Sequence, residues 1–214
     1  MTLLPQSEEM RRNMVDSQLR TSGMSTPWII AAMLATPREV FVAGASSAVY
    51  MDRSFPLGSG RMLNPPVAAG QMLVAAEPKA TDRVLLIGAG TGYLATLLMR
   101  KVPALVSVEE SLELTDAFAA NLPDTQLLRG ANNEGALEHA PFDLIIIDGA
   151  IEELPQTLID QLVDGGRIVT GVIDGRVSRL AMGVKRGSHL ALRTVADMEI
   201  AALPGFARSK EFVF

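Results

Sequence analysis

The feature that most constrains the fold of this chain is the alternation of apolar runs with helical segments from residue 83 onward. The runs RVLLIG and ALVSVEE are each followed by a segment of helical periodicity, and QLLRG and FDLIIIDG continue the series. The unbroken Leu-Ile-Ile-Ile core of the last run indicates a strand buried on both faces. Such alternation is typical of a doubly wound α/β fold, in which helices cover both faces of a mostly parallel sheet.

The remainder of the chain extends this core. Residues 6–50 show helical spacing of their apolar residues, whereas residues 51–67 are rich in Gly, Ser and Pro and predict an ordered loop. We therefore predict one domain over 1–214, with residues 1–76 as a helical N-terminal extension that carries the loop and 77–214 as the core.

Further elements are predicted on either side of the central runs. A helix is expected from about Val67 to Ala76, and PQTLIDQLVDGG predicts a helix that ends at its Gly-Gly pair. RIVTGVI reads as a fifth core strand, and HLALRTVADMEI and EFVF as two more strands.

Charge and residue content exclude several functions. The chain has 24 acidic and 19 basic residues, a balance that argues against nucleic-acid binding. It contains no cysteine, which excludes disulfides, thiolate metal sites and a thiol nucleophile. His139 and His189 have no partners at metal-ligand spacing, so we expect no metal. Neither a membrane span nor a signal peptide is recognisable, and we expect a cytoplasmic protein.

The sharpest local motif is Gly88-Ala89-Gly90-Thr91-Gly92, between a predicted strand and a predicted helix. Glycines there allow a tight turn and let a ligand approach the backbone at the helix N-terminus. Glu109 ends the next strand, where a carboxylate accepts hydrogen bonds from the hydroxyls of a bound ribose. The alternative is a purely structural glycine turn.

Two ligand classes fit a glycine loop with a ribose-binding acid: a dinucleotide or S-adenosylmethionine. The spacing here is G-x-G-x-G, shorter than the G-x-G-x-x-G of dinucleotide sites. The chain also lacks a Tyr-x-x-x-Lys pair and has no room for a separate substrate domain. These features favour S-adenosylmethionine.

Several motifs in a fixed order then resemble the protein-L-isoaspartate O-methyltransferases. They are RRNMVDSQLR at Arg11–Arg20, TPREVFV at Thr36–Val42, PLGSGR at Pro56–Arg61, VLLIGAGTGY and PFDLIIIDGA. The resemblance implies a seven-stranded, Rossmann-like methyltransferase that uses S-adenosylmethionine to methylate the carboxylate of L-isoaspartyl residues in damaged proteins or peptides.

The sequence departs from the family pattern at three places. Asn64 stands where the family's substrate loop has a serine, Gly130-Ala131-Asn132 replaces G-D-G, and Leu86 replaces a glutamate. The resemblance places Ala131 and Asn132 at the adenine edge of the cofactor, where the family's carboxylate is absent and either Asn132 or Asn133 can supply an amide oxygen instead. We predict that cofactor binding is intact, whereas repair is slow or absent.

Three polar residues are candidates for the reaction centre. The amide of Asn64 can donate to a substrate carboxylate, and Arg61 can supply a charge-assisted clamp. Asp148 ends a predicted strand, where open α/β sheets place ligand contacts, and we predict that it binds the cofactor. The structural alternatives are a solvated loop cation for Arg61, a turn residue for Asn64 and a helix cap for Asp148.

Two other functions remain open at this point. The chain could bind S-adenosylmethionine as a family relative without repair activity, or it could methylate another acceptor. The sequence leaves its oligomeric state undetermined.

Overall fold

A computed structural model of the protein describes residues 6–44 and 47–208. Its α-helices are α1 (Ser7–Met14), α2 (Pro27–Ala35), α3 (Pro66–Ala76), α4 (Tyr93–Leu98), α5 (Leu112–Asn121) and α6 (Gln156–Asp160). Its strands are β1 (Phe55–Gly58), β2 (Arg61–Leu63), β3 (Arg83–Ile87), β4 (Ala104–Glu109), β5 (Gln126–Arg129), β6 (Phe142–Ile151), β7 (Leu162–Asp174), β8 (Val177–Val184) and β9 (Arg193–Asp197).

Seven strands form the central sheet in the order β5-β4-β3-β6-β7-β8-β9. The pairs from β5 to β7 are parallel, whereas β8 and β9 add antiparallel strands at one edge. The predicted seven-stranded, mostly parallel α/β sheet is therefore confirmed. The strand order reverses direction beside β3, because β4 and β5 extend to one side of it and β6 and β7 to the other.

Both faces of the central strands are buried. In β3, Leu86 belongs to the core shared with the N-terminal helices, whereas Leu85 and Ile87 belong to a second core on the opposite face. β6 divides in the same way, with Ile146 on the first face and Ile147 on the second. Burial on both faces explains why these strands are apolar runs without polar alternation.

The N-terminal extension contains a hairpin that the sequence prediction missed. Residues 51–67 were expected to form a loop, but β1 and β2 pair as a two-stranded antiparallel sheet. Its turn contains three residues of positive φ, Gly58, Ser59 and Gly60. Glycine and serine are common both in the tight turns of hairpins and in loops. The glycine and serine content of residues 51–67 therefore did not distinguish a hairpin from a loop. The helix predicted from about residue 67 is confirmed as α3.

The C-terminal part differs from the sequence prediction in two places. The helix expected to reach Gly166 ends at Asp160, because Leu162 already pairs with Phe142 at the start of β7. The strand β8 was not predicted, since its mixed polar and apolar residues lack a clear alternation. The expected strand EFVF lies outside the described residues, and the division into 1–76 and 77–214 stays a prediction. No described helix has the length and apolar content needed to cross a membrane.

Candidate active site

The predicted site residues lie at the carboxyl edge of the parallel strands. The glycine loop follows β3, Glu109 ends β4, the Gly130-Ala131-Asn132 turn follows β5, and Asp148 lies in the last third of β6. Strand order reverses between β3 and β6, and ligands of open α/β sheets bind at this point. The fold therefore brings together residues that are up to 60 positions apart in the sequence.

The glycine loop is held in a fixed conformation. Its glycines all have positive φ, and they are Gly88, Gly90 and Gly92. The Oγ1 of Thr91 donates to the carbonyl of Phe41 at 2.7 Å, and the Nδ2 of Asn121 donates to the Thr91 carbonyl at 2.9 Å. Because Gly90 has φ +56°, a side chain there would be strained as well as crowded by Leu57.

Glu109 is buried and its carboxylate accepts four hydrogen bonds. Oε2 accepts from the backbone N–H of Gly90 at 2.8 Å and from Arg61 Nη1 at 2.6 Å. Oε1 accepts from the backbone N–H groups of Glu110 at 3.0 Å and Ser111 at 3.1 Å. The residue predicted to bind ribose is thus in the expected place, and its oxygens already have partners within the chain.

Arg61 lies against the predicted cofactor residues. Its side chain is 5% exposed, and besides Glu109 it contacts the carbonyl of Gly88, to which Nη2 donates at 2.9 Å. The alternative of a solvated loop cation is therefore wrong. The guanidinium was predicted to hold a substrate carboxylate, but in this structure it binds the carboxylate of Glu109.

Side chains from two distant segments cover the glycine loop. A Cβ built on Gly88 would lie 2.9 Å from both δ carbons of Leu203 and 3.1 Å from Arg61 Nη2. A Cβ built on Gly90 would lie 3.2 Å from Leu57 Cδ1. The β1–β2 hairpin and the segment after β9 thus pack on the surface that a ligand of the loop would contact.

Asn64 connects three parts of the chain. Its Nδ2 donates to Asp148 Oδ1 at 2.7 Å, and its Oδ1 accepts from the backbone N–H of Ala201 at 2.8 Å. Its carbonyl accepts from Arg38 Nη2 at 2.8 Å. Asn64 is 2% exposed, so it is a buried crosslink and its amide is not free in this arrangement.

Asp148 faces Asn64 from within β6, which continues to Ile151 and so does not end at Asp148 as the sequence predicted. Burial raises the pKa of the Asp148 carboxyl, and the hydrogen bond from Asn64 and the charges of Arg61 and Arg38 oppose this rise only in part. The negative charge of Glu109 contributes to the rise. A carboxyl with a raised pKa in the folded state destabilises the fold once it ionises.

We expect Asp148→Asn to stabilise the protein at neutral pH. The folded-state pKa lies above the unfolded value, so wild-type stability falls as pH rises through that interval. An asparagine keeps an oxygen that accepts from Asn64 and removes the charge. Melting temperatures of the two proteins should differ most above the folded-state pKa of Asp148 and converge as the pH falls below the ordinary aspartate pKa. A gap that widens on acidification would contradict this reading.

The turn after β5 carries the residues predicted at the adenine edge. Ala131 and Asn132 are linked to the site through the N–H of Gly130, which donates to the Glu109 carbonyl at 3.3 Å. Asn132 is 1% exposed, and its Oδ1 has no hydrogen-bond partner within the described residues. A buried amide oxygen without a partner fits the exocyclic N–H of an adenine. The glycine loop, Glu109 and Asn132 therefore fit S-adenosylmethionine, provided that Arg61 leaves Glu109.

Two residues of the site, Arg38 and Leu203, had no predicted role. Arg38 is fully buried, donates to the carbonyls of Val49 and Asn64, and lies 4.6 Å from the ring centroid of Tyr93. The TPREVFV motif that contains Arg38 was the available signal. Leu203 lies in a short irregular segment that offered no signal in the sequence.

Comparison with known proteins agrees with this geometry. The sequence model of the family described as protein-L-isoaspartate(D-aspartate) O-methyltransferase matches residues 9–204. A protein-L-isoaspartate O-methyltransferase of Methanoculleus marisnigri is 36% identical over 82% of this chain and 83% of that protein. One of Halorhodospira halophila is 33% identical over 92% of each chain.

Two solved structures share this fold. A structure named protein-L-isoaspartate O-methyltransferase superposes with a TM-score of 0.79 at 24% identity, over 92% of this chain and 67% of that one. A beta-aspartate methyltransferase of Plasmodium falciparum, in complex with S-adenosyl-L-homocysteine, gives 0.78 at 16% identity, over 91% and 98% of the chains. The order of motifs, the sheet and the matches over most of the sequence lead to one conclusion: the chain belongs to the S-adenosylmethionine-dependent protein-L-isoaspartate(D-aspartate) O-methyltransferase family.

Proposed function

We propose that this protein transfers the methyl group of S-adenosylmethionine to the free carboxylate of L-isoaspartyl residues in proteins or peptides. The observation that carries the proposal is the family match over residues 9–204, together with a glycine loop and Glu109 at the strand-order reversal. In the substrate loop of this protein, Asn64 replaces the serine of the family pattern. We propose that turnover is slow because of this replacement.

The reaction demands little acid–base chemistry from the chain. When bound, S-adenosylmethionine supplies an electrophilic methyl group on a sulfonium, and an isoaspartyl carboxylate is already ionised at neutral pH. The protein therefore has to align the acceptor oxygen with the methyl carbon and to exclude water from it. Apolar side chains that cover the glycine loop, Leu57 and Leu203, supply such a water-poor surface.

Different residues would hold the methionine portion and the ribose of the cofactor. The backbone of Gly88, Ala89, Gly90 and Gly92 would lie against its methionine portion. Glu109 would accept the ribose hydroxyls.

The adenine and the reacting end would meet a second set of residues. Asn132 and Ala131 would lie at the adenine edge. Asp148, which was predicted to contact the cofactor, is hydrogen-bonded to Asn64 and so belongs in our proposal to the substrate side of the site.

The acceptor subsite contains an internal carboxylate. A substrate carboxylate that takes the amide of Asn64 must compete with Asp148, which holds that amide at 2.7 Å. The two carboxylates would also repel each other at close range. We infer that this competition, rather than loss of cofactor binding, limits methylation.

The proposal is tested by measuring the rate of methyl transfer from S-adenosylmethionine to an isoaspartyl peptide. The control is the peptide of the same sequence with a normal aspartyl residue. We expect slow transfer by the wild type to the isoaspartyl peptide only. In Asp148→Ala the amide of Asn64 becomes free and the repulsion is lost, so kcat/KM should rise by roughly tenfold, about 1.4 kcal/mol of transition-state binding. Asn64→Ser should also raise the rate.

The control is Asp143→Ala, which changes a carboxylate on the same strand far from the carboxyl edge, where it accepts from the N–H of Arg83. Its transfer rate should equal that of the wild type. Cofactor binding without transfer to either peptide, in the wild type and in both site variants, would favour a family relative without repair activity. Equal transfer to both peptides would favour another acceptor.

A further inference from the structure

We propose that Arg61 is an autoinhibitory residue, which occupies the ribose subsite of the cofactor and sets the affinity of the protein for S-adenosylmethionine. This inference rests on the proposed function, because it assumes that Glu109 binds the ribose. It concerns a conformational competition that takes place before any methyl transfer.

The first argument is the state of Glu109. Its Oε2 is the oxygen shared by the N–H of Gly90 and by Arg61 Nη1, and the carboxylate as a whole is 1% exposed. A ribose hydroxyl can donate to Glu109 only if one of these donors withdraws. The Gly90 N–H belongs to a fixed backbone, so the side chain of Arg61 is the donor that can move.

The second argument is that Arg61 belongs to the β1–β2 hairpin, which also covers the glycine loop. The β1–β2 hairpin carries both Arg61 and Leu57, and both lie over the glycine loop. Its tip is attached to α5, where Ser59 Oγ donates to Glu113 Oε2 at 2.7 Å. One hairpin thus covers the loop and neutralises the ribose-binding carboxylate, so release of Arg61 and uncovering of the loop are expected to occur together.

The third argument is that Glu109 does not depend on Arg61 for its hydrogen bonds. When Arg61 withdraws, the N–H groups of Gly90, Glu110 and Ser111 remain bound to the carboxylate. Backbone donors stabilise an ionised carboxylate, so the open state keeps a usable acceptor for the ribose. The site therefore has two arrangements, one closed by a guanidinium and one open to the cofactor.

The consequence is a reduced apparent affinity. A ligand that binds only the open arrangement has its dissociation constant multiplied by the inverse of the open fraction. Removal of the guanidinium abolishes the closed arrangement, so we expect the affinity for S-adenosylmethionine to rise by roughly tenfold or more.

Isothermal titration of S-adenosylmethionine and S-adenosylhomocysteine into four proteins tests this inference. They are the wild type, Arg61→Ala, Arg61→Met and the control Arg53→Ala, which removes an exposed arginine that precedes the hairpin. Both Arg61 variants should bind each ligand more tightly than the wild type, and Arg53→Ala should bind like the wild type. Arg61→Met keeps most of the side-chain volume, so it serves if the alanine variant fails to fold.

Ser59→Ala provides an independent measurement on the same hairpin. It removes the contact with Glu113 and leaves the Arg61–Glu109 pair intact, so a smaller rise in affinity is expected. Wild-type binding that equals or exceeds that of the Arg61 variants would overturn the autoinhibitory role alone. Absence of binding in every protein would overturn the proposed function as well.

Discussion

Replacement of Glu109 by alanine is expected to lower the free energy of unfolding by about 3–5 kcal/mol and to weaken cofactor binding by about 1–3 kcal/mol. The substitution leaves the guanidinium of Arg61 buried, with the carbonyl of Gly88 as its remaining partner in the structure. It also removes the acceptor of three backbone N–H groups. Urea unfolding and cofactor titration of the variant would measure both effects.

A double-mutant cycle separates the ion pair from the packing around it. Glu109→Ala combined with Arg61→Met removes both charges, so the double variant should be more stable than Glu109→Ala alone. Glu110→Ala is the matched control, because this neighbouring carboxylate is exposed and its loss should change stability by no more than about 0.5 kcal/mol. A Glu109→Ala protein as stable as this control would show that the buried pair contributes nothing.

Replacement of Gly171 by valine is expected to cost about 3 kcal/mol of stability. Gly171 pairs with Ala150 across β7 and β6. A Cβ at this glycine would lie 2.8 Å from the Cα and the Cβ of Ala150 and 2.8 Å from Ile200 Cγ2. Because the Cα of Ala150 is backbone, the strands must separate to admit the side chain, and the urea midpoint should fall accordingly.

The same substitution at Gly130 is its control. A Cβ there meets no heavy atom within 4 Å among the described residues, and the backbone has no positive φ. Gly130→Val should therefore unfold near the wild-type midpoint. If both variants lost equal stability, the effect would come from valine in general and not from the contact between β7 and β6.

Much of the fold could be predicted because it depends on local patterns. The apolar runs at β3, β4 and β6 are buried on both faces, so their hydrophobicity is continuous and easily recognised. β8 was missed because its residues are buried irregularly, from exposed Val177 to fully buried Leu180. The β1–β2 hairpin was missed because its strands are short and glycine, serine and proline dominate the segment.

The candidate site divides in the same way. The glycine loop and Glu109 were predicted from a spacing along the chain, and the structure joins them through the Gly90 N–H. The partners of Arg61 and Asn64 were not predicted. Arg61 was expected to bind a substrate carboxylate and instead binds Glu109, 48 residues away.

By itself, the sequence determined the α/β class, the order of the core strands along the chain, the glycine loop and the family resemblance. These follow from periodicity and from residue types at short, fixed spacing. Tertiary structure alone decided that Arg61 neutralises Glu109 and that Asn64 joins Asp148 to Ala201, over separations of 48, 84 and 137 residues. A buried polar group must find a partner wherever the fold places one, and only the packed chain shows which group lies within reach.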